Sequence, residues 1–144
     1  MQEGTHSFIY IHTIWATRNR EKLLTPILRK VLFPVLTQSA GAGGIQVIGI
    51  NGVEDHVHAL VKLMPVQNIA EVIRQLKEIS SGWLNDSRLL QQAFEWDADY
   101  AAYSVSPSTI DKSIEYLSRQ EAYHQTRSLD EELAAFEKMA GQTI

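Results

Sequence analysis

The stretch Asp55-His56-Val57-His58-Ala59-Leu60-Val61-Lys62-Leu63 reads as a β-strand with two unlike faces. Successive side chains of a strand point to opposite sides. Val57, Ala59, Val61 and Leu63 therefore make one apolar face, and His56, His58, Leu60 and Lys62 make the other. The first face asks for a core. The second sets two imidazoles side by side on the open side of a sheet, where a single metal ion can take both. Just upstream, residues 45–50 form a short apolar run suited to a buried strand, and Asn51-Gly52 is a favoured pair for a tight hairpin turn. The quoted stretch is then the second arm of a hairpin.

Working outward, residues 7–17 are rich in β-branched and aromatic types and read as another strand. Thr25-Pro26 supplies a helix cap with proline in the first turn. Behind it Leu28, Val31, Leu32, Val35 and Leu36 recur at helical spacing, up to the break at Gly41-Ala42-Gly43-Gly44. Asn68 with Glu71 forms a capping box, and Ile69, Val72, Ile73, Leu76, Ile79, Trp83 and Leu84 line one helical face after it. A fourth strand falls near residues 100–106. Ser106-Pro107 opens a third helix over 107–124, and Ser128 with Glu131 caps a last one over 128–141, with Leu129, Leu133, Phe136 and Ala140 on its apolar side. The order β-α-β-β-α-β followed by two helices predicts an α+β, ferredoxin-like (split βαβ) fold: an antiparallel sheet with helices on one face, plus C-terminal helices. A single domain is expected across residues 1–144, with the core in 1–106.

Composition narrows the chemistry. With 144 residues, 44% hydrophobic and 21% charged, the chain has the make-up of one globular domain. The absence of cysteine excludes disulfides, iron–sulfur clusters, thiolate zinc sites and cysteine nucleophiles. Any metal must sit on His, Asp, Glu, Asn or Gln. No apolar run approaches the roughly 18 residues of a membrane span, and no signal peptide is evident, so a cytoplasmic protein without a membrane partner is expected. The net charge of −4 is uneven: residues 1–94 hold 9 Lys/Arg against 7 Asp/Glu, whereas 95–144 hold 4 against 10. Arg18, Arg20 and Lys22, with Arg29 and Lys30, form the one basic concentration. The first three follow a strand end and are the expected phosphate contacts.

On the third helix Tyr116 and Gln120 are four apart and so share a stripe, while Ile110, Ile114 and Leu117 make an apolar side. A divalent ion, Mg2+ or Mn2+, on His56 and His58, completed by the Gln120 amide oxygen, could polarise a phosphodiester. Tyr116, one turn away, would be placed as a nucleophile. Phenol has a pKa near 10, so it needs a metal or a base to attack at neutral pH. Tyr123 lies three residues beyond Gln120, and helical spacing alone does not choose between the two tyrosines. Asp55 either steadies His56 from behind or caps the turn. A competing reading is a non-catalytic module of RNA-recognition-like fold that binds single-stranded nucleic acid by stacking on Tyr10 or Tyr103. It explains neither the histidine pair nor the Tyr-x-x-x-Gln spacing.

Asp55-His56-Val57-His58-Ala59-Leu60-Val61, followed about sixty residues later by Ile114-Glu115-Tyr116-Leu117-Ser118-Arg119-Gln120, resembles the insertion-sequence transposases of the HUH single-tyrosine class and their REP-associated relatives. Ala16-Thr17-Arg18-Asn19-Arg20 is similar to the family's basic turn, and Trp96, Tyr100 and Tyr103-Ser104-Val105-Ser106 to the segment before its tyrosine helix. The resemblance implies a metal-dependent enzyme that nicks single-stranded DNA bearing a hairpin, forms a 5′-phosphotyrosine, leaves a 3′-OH and rejoins strands. It implies Tyr116 as nucleophile, His56, His58 and Gln120 as metal ligands, and a homodimer.

Overall fold

The computed structural model describes residues 6–119 and 128–142. Four strands, β1 (Ile9–Ala16), β2 (Gln46–Gly52), β3 (His56–Leu63) and β4 (Ala101–Val105), form one sheet in the order β2-β3-β1-β4. Every pairing in it is antiparallel. Helices α1 (Pro26–Ala42) and α2 (Ile69–Ser87) supply the two crossovers; α3 (Ile110–Ser118) and α4 (Leu129–Gln142) follow β4. The chain thus has the split βαβ arrangement expected of it.

The main core lies between the sheet and α1 and α2. Ile11, Trp15, Val57, Ala59 and Val61 of the central strands meet Leu28, Leu32, Leu36 and Ala40 of α1 and Val72, Leu76 and Leu84 of α2. Burying aliphatic side chains of this size contributes about 1.5–3 kcal/mol each relative to exposure, which makes this layer the main source of stability. Thr25 caps α1 by accepting a hydrogen bond from the Leu28 amide, and Asn68 caps α2 through the Glu71 amide. Val31, expected on the buried stripe of α1, is exposed; Arg29 is buried instead and donates from Nη1 to the Leu24 carbonyl. The aliphatic stem of an arginine can pack while its head finds an acceptor, so a cation can take a place on the buried stripe.

The hairpin differs from expectation at its tip. Asn51 and Gly52 lie within β2, paired with His58 and Val57, and the reversal falls at residues 53–55. Gly52 is required by close approach rather than by a turn, since a Cβ there would lie 2.6 Å from the His56 carbonyl oxygen. The longer strand uses Asn51 differently too: its side-chain amide donates to the Leu117 carbonyl and ties the end of α3 to the sheet. A register irregularity between Val47 and Gly49 accompanies this docking, and the Leu117 side chain sits against Gly49, 3.3 Å from where a Cβ would be.

Helices α3 and α4 cover the sheet face opposite α1 and α2, so that His56 and His58 are 1% and 0% exposed. The histidine face is therefore not the open side of a sheet. On α3, Leu117 is buried and Ser113 and Tyr116 are partly buried, while Ile114, expected on the apolar side, is exposed. The helix is turned so that Tyr116 faces inward, because its hydroxyl has a buried partner there.

Candidate active site

Strand alternation brings three imidazoles to one face. His56 and His58 come from β3, and His12 comes from the neighbouring β1, where it stands opposite Leu60. His12 Nε2 lies 2.7 Å from His58 Nδ1, and the rings are 4.9 Å apart. On the far side, His58 Nε2 lies 2.7 Å from Glu132 Oε1, while His56 Nε2 is 3.6 Å from the same oxygen. The second carboxylate oxygen, Oε2, accepts a hydrogen bond from the Tyr116 hydroxyl. One buried carboxylate is thus shared by both expected metal ligands and the expected nucleophile.

Glu132 comes from α4, whose position several contacts define. Ser128 and Glu131 form the expected capping box, with the Glu131 amide donating to Ser128 Oγ at 3.2 Å. Leu129 is buried, Phe136 stacks on Tyr103 at 5.0 Å and meets His12 edge-on at the same distance, and Arg20 pairs with Asp130 at 2.7 Å. The sequence reading missed Glu132. Its signal was present: it stands three residues after Leu129 and four before Phe136, so an acid interrupts the apolar stripe of an amphipathic helix. A carboxylate so placed needs a partner, because an unpaired buried charge is costly.

The electrostatics follow from burial. Asp55 Oδ1 lies 2.7 Å from His56 Nδ1, which turns Nε2 of that ring toward Glu132. Burial lowers the His56 pKa, but hydrogen bonds to Asp55 and Glu132 and the charges of both carboxylates outweigh it, and the net shift is upward. His12 goes the other way. Burial, followed by the neighbouring His58, pulls it down to about 3 against the attraction of Glu132, so it stays neutral at physiological pH. A neutral His12 can either donate to or accept from His58 Nδ1, whichever proton arrangement His58 needs.

His56, His58 and Glu132 each offer a ligand atom within 4.8 Å of the others, and all three residues are buried. Two imidazole nitrogens and a carboxylate oxygen suit a divalent ion such as Mn2+ or Mg2+, and the Asp55 and His12 contacts behind the rings are those a metal site needs. The residues present therefore fit such an ion. Gln120, the expected third ligand, and the competing Tyr123 lie outside the described residues.

The three expected phosphate contacts surround a short 3-10 turn, Arg18–Arg20, at the end of β1. Arg18 is ion-paired with Glu95 and Arg20 with Asp130, while Lys22 makes no ion pair among the described residues. Both pairs are solvent-exposed and so weak enough, at about 0–1 kcal/mol, to yield to a polyanion. No helix among the described residues is long and apolar enough to cross a membrane.

Residues 5–120 match the family model described as "Transposase IS200 like". Among curated proteins the chain is similar to the ISDra2 transposase TnpA of Deinococcus radiodurans, 26% identical over 114 residues, covering 76% of this chain and 81% of that protein. Among solved structures it is similar to a protein of Deinococcus radiodurans R1 described as a transposase, with a TM-score of 0.67 and 24% identity over 83% of this chain and 96% of the other. A REP-associated tyrosine transposase solved bound to a REP hairpin shares the fold at a TM-score of 0.60 and 12% identity, covering 86% of this chain and 74% of that one. With the family model spanning most of the chain, including the histidine pair and the tyrosine helix, this protein belongs to the IS200-like transposase family.

Proposed function

We propose that the chain cleaves and rejoins single-stranded DNA through Tyr116, with a divalent metal held by His56, His58 and Glu132. The observation that carries this reading is the convergence on Glu132: one oxygen faces the two imidazoles and the other holds the tyrosine hydroxyl. By family resemblance Gln120 adds an amide oxygen to the same ion. The ion would supply Lewis-acid polarisation of the scissile phosphate.

The chain's own residues do the rest. Tyr116 Oη forms a bond to phosphorus, the bond from phosphorus to the 3′ oxygen breaks, and the products are a 5′-phosphotyrosine and, once that oxygen takes a proton from water, a free 3′-OH. Glu132 Oε2, already accepting the tyrosine hydrogen bond, is placed to take its proton. Asp55 and His12 fix the two imidazole rings from behind. Because the phosphotyrosine linkage keeps the energy of the broken bond, a 3′-OH can attack it and rejoin strands without another energy source. DNA with a hairpin is the proposed partner, by analogy with the relative solved bound to one, and a homodimer is the proposed assembly. The stacking-module reading finds less support, because the sheet face it needs is covered by α3 and α4 and carries the histidines.

The test is incubation of the full chain with 3′-end-labelled single-stranded DNA carrying its neighbouring genomic ends, with and without Mn2+, resolved on a denaturing gel, because the fragment kept on a 5′-phosphotyrosine is the one that holds the 3′ end. A labelled band at the mass of protein plus DNA, formed only with metal, is the expected result. DNA binding without such a band under any divalent ion would refute the reading.

A further inference from the structure

A cavity of about 400 Å3 lies between α3 and α4, with Tyr116 in its lining. Its α3 wall is Thr109, Lys112, Ser113 and Tyr116; its α4 wall is Glu132, Ala135 and Phe136. The volume falls within the range of about 300–1,000 Å3 typical of small-ligand sites. The α3 residues lie on one side because 109, 112, 113 and 116 are three or four apart.

Lys112 is the only cation in that lining, and it makes no ion pair among the described residues. Several other basic side chains are engaged: Arg18 with Glu95, Arg20 with Asp130, Arg119 with Glu115, and Lys77 with the carbonyls of Asp97, Ala98 and Asp99. Lys112 stands one helical turn from Tyr116, about 6 Å along the axis. Glu132 does not cancel it, since its two carboxylate oxygens are engaged by His58 and by the Tyr116 hydroxyl. Apart from Glu132, the α4 wall is apolar, formed by Ala135 and Phe136.

A cavity lined on one side by a tyrosine, a cation and two hydroxyl side chains, and on the other by Ala135 and Phe136 beside the carboxylate that holds the tyrosine hydroxyl, has the chemistry of a nucleotide site. We propose that it holds the nucleotide next to the scissile phosphate, with Lys112 neutralising the neighbouring phosphate and Ala135 and Phe136 against the sugar and base. This rests on Tyr116 being the nucleophile, and it makes Lys112 a substrate-positioning residue. It also gives α4 a part in strand selection, since Glu132, Ala135 and Phe136 form the wall facing α3.

The experiment pairs a protein change with a single change in the DNA. Single-stranded oligonucleotides, each with one uncharged methylphosphonate linkage at a successive position, are titrated against the full chain without metal. Wild type, Lys112→Ala, Lys112→Arg and the control Lys30→Ala are compared; Lys30 lies on α1, across the sheet. The neutral linkage beside the cleaved position is expected to weaken wild-type binding roughly tenfold, the scale of one charge-assisted contact. Lys112→Ala should bind natural DNA weaker by a similar factor and show no additional weakening at that linkage, while other neutral linkages still weaken it. Lys112→Arg should restore the coupling, and Lys30→Ala should keep it. Effects that add at every linkage, or a Lys112→Ala that binds like wild type, would overturn the site. Adduct formation by wild type is read separately, with Mn2+ added. If it fails with every oligonucleotide, the nucleophile assignment falls, while coupling confined to one linkage still reports a phosphate on Lys112.

Discussion

His12 shows how a residue with no motif of its own enters the site. It lies on β1 next to β3, on the same face as His56 and His58, and its Nε2 meets His58 Nδ1 at 2.7 Å. When His58 Nε2 binds a metal, its proton must sit on Nδ1, and the partner there must accept it. A His12 held down to about 3 is neutral and can do so. His12→Phe keeps a ring of similar size against Phe136 but removes that acceptor. Mn2+ affinity, followed by titration of the free ion's paramagnetic resonance, should fall by about 10- to 100-fold, the usual cost of removing such a support. An unchanged affinity would mean that His12 only packs. From sequence alone His12 was one more strand residue, because cross-strand register is not written in either strand by itself. His56 and His58 were legible as a pair because period two works within one strand.

Element by element, the strands and the first two helices were legible because caps and apolar periodicity agree with their tertiary roles. Asn68 and Thr25 cap where expected, and the α2 stripe faces the core, with Val72, Ile73, Leu76 and Leu84 buried and Ile69, Ile79 and Trp83 partly buried. The hairpin tip and the facing of α3 were not, and both trace to interactions between residues distant in sequence: Asn51 with Leu117, Leu117 with Gly49, and Tyr116 with Glu132. The last helix is legible in the sequence but the burial of Glu132 is not, since an acid on an apolar stripe is decided by what lies beneath it. The docking of α4 carries a testable pH dependence. Tyr103 on β4 donates to Glu137 on α4 at 3.1 Å, and burial, then that hydrogen bond and charge, push the phenol up to about 12. The other groups facing the Tyr103 ring are His12 on β1 and Phe136 on α4. A folded-state pKa raised above the unfolded value of about 10 favours the protonated form, so its contribution is full below pH 10 and disappears as pH climbs from 10 to 12. Thermal midpoints across that window should decline more steeply for wild type than for Tyr103→Phe. Parallel curves would place the alkaline destabilisation elsewhere.

For the molecule as a whole, the charge distribution separates two tasks. The net charge of −4 weakens any general attraction for DNA, so binding has to come from local cations. The turn around Arg18, Arg20 and Lys22 is the concentrated one, and its two exposed ion pairs can be exchanged for phosphates at little cost. Replacing all three with alanine should weaken single-strand binding and reduce the slope of log affinity against log salt by about 0.7 for each phosphate no longer neutralised. An unchanged slope would move the DNA path to another surface. The proposed reaction turns on which oxygen attacks. Tyr116→Phe removes one hydroxyl and almost no volume, so folding and Mn2+ binding should persist. The decisive measurement is mass spectrometry of proteolysed protein–DNA adduct from wild type, Tyr116→Phe and Tyr123→Phe. The expected result is nucleotide mass on the peptide bearing Tyr116 in wild type and Tyr123→Phe, and no adduct from Tyr116→Phe. Adduct retained by Tyr116→Phe, with the nucleotide on Tyr123, would contradict it.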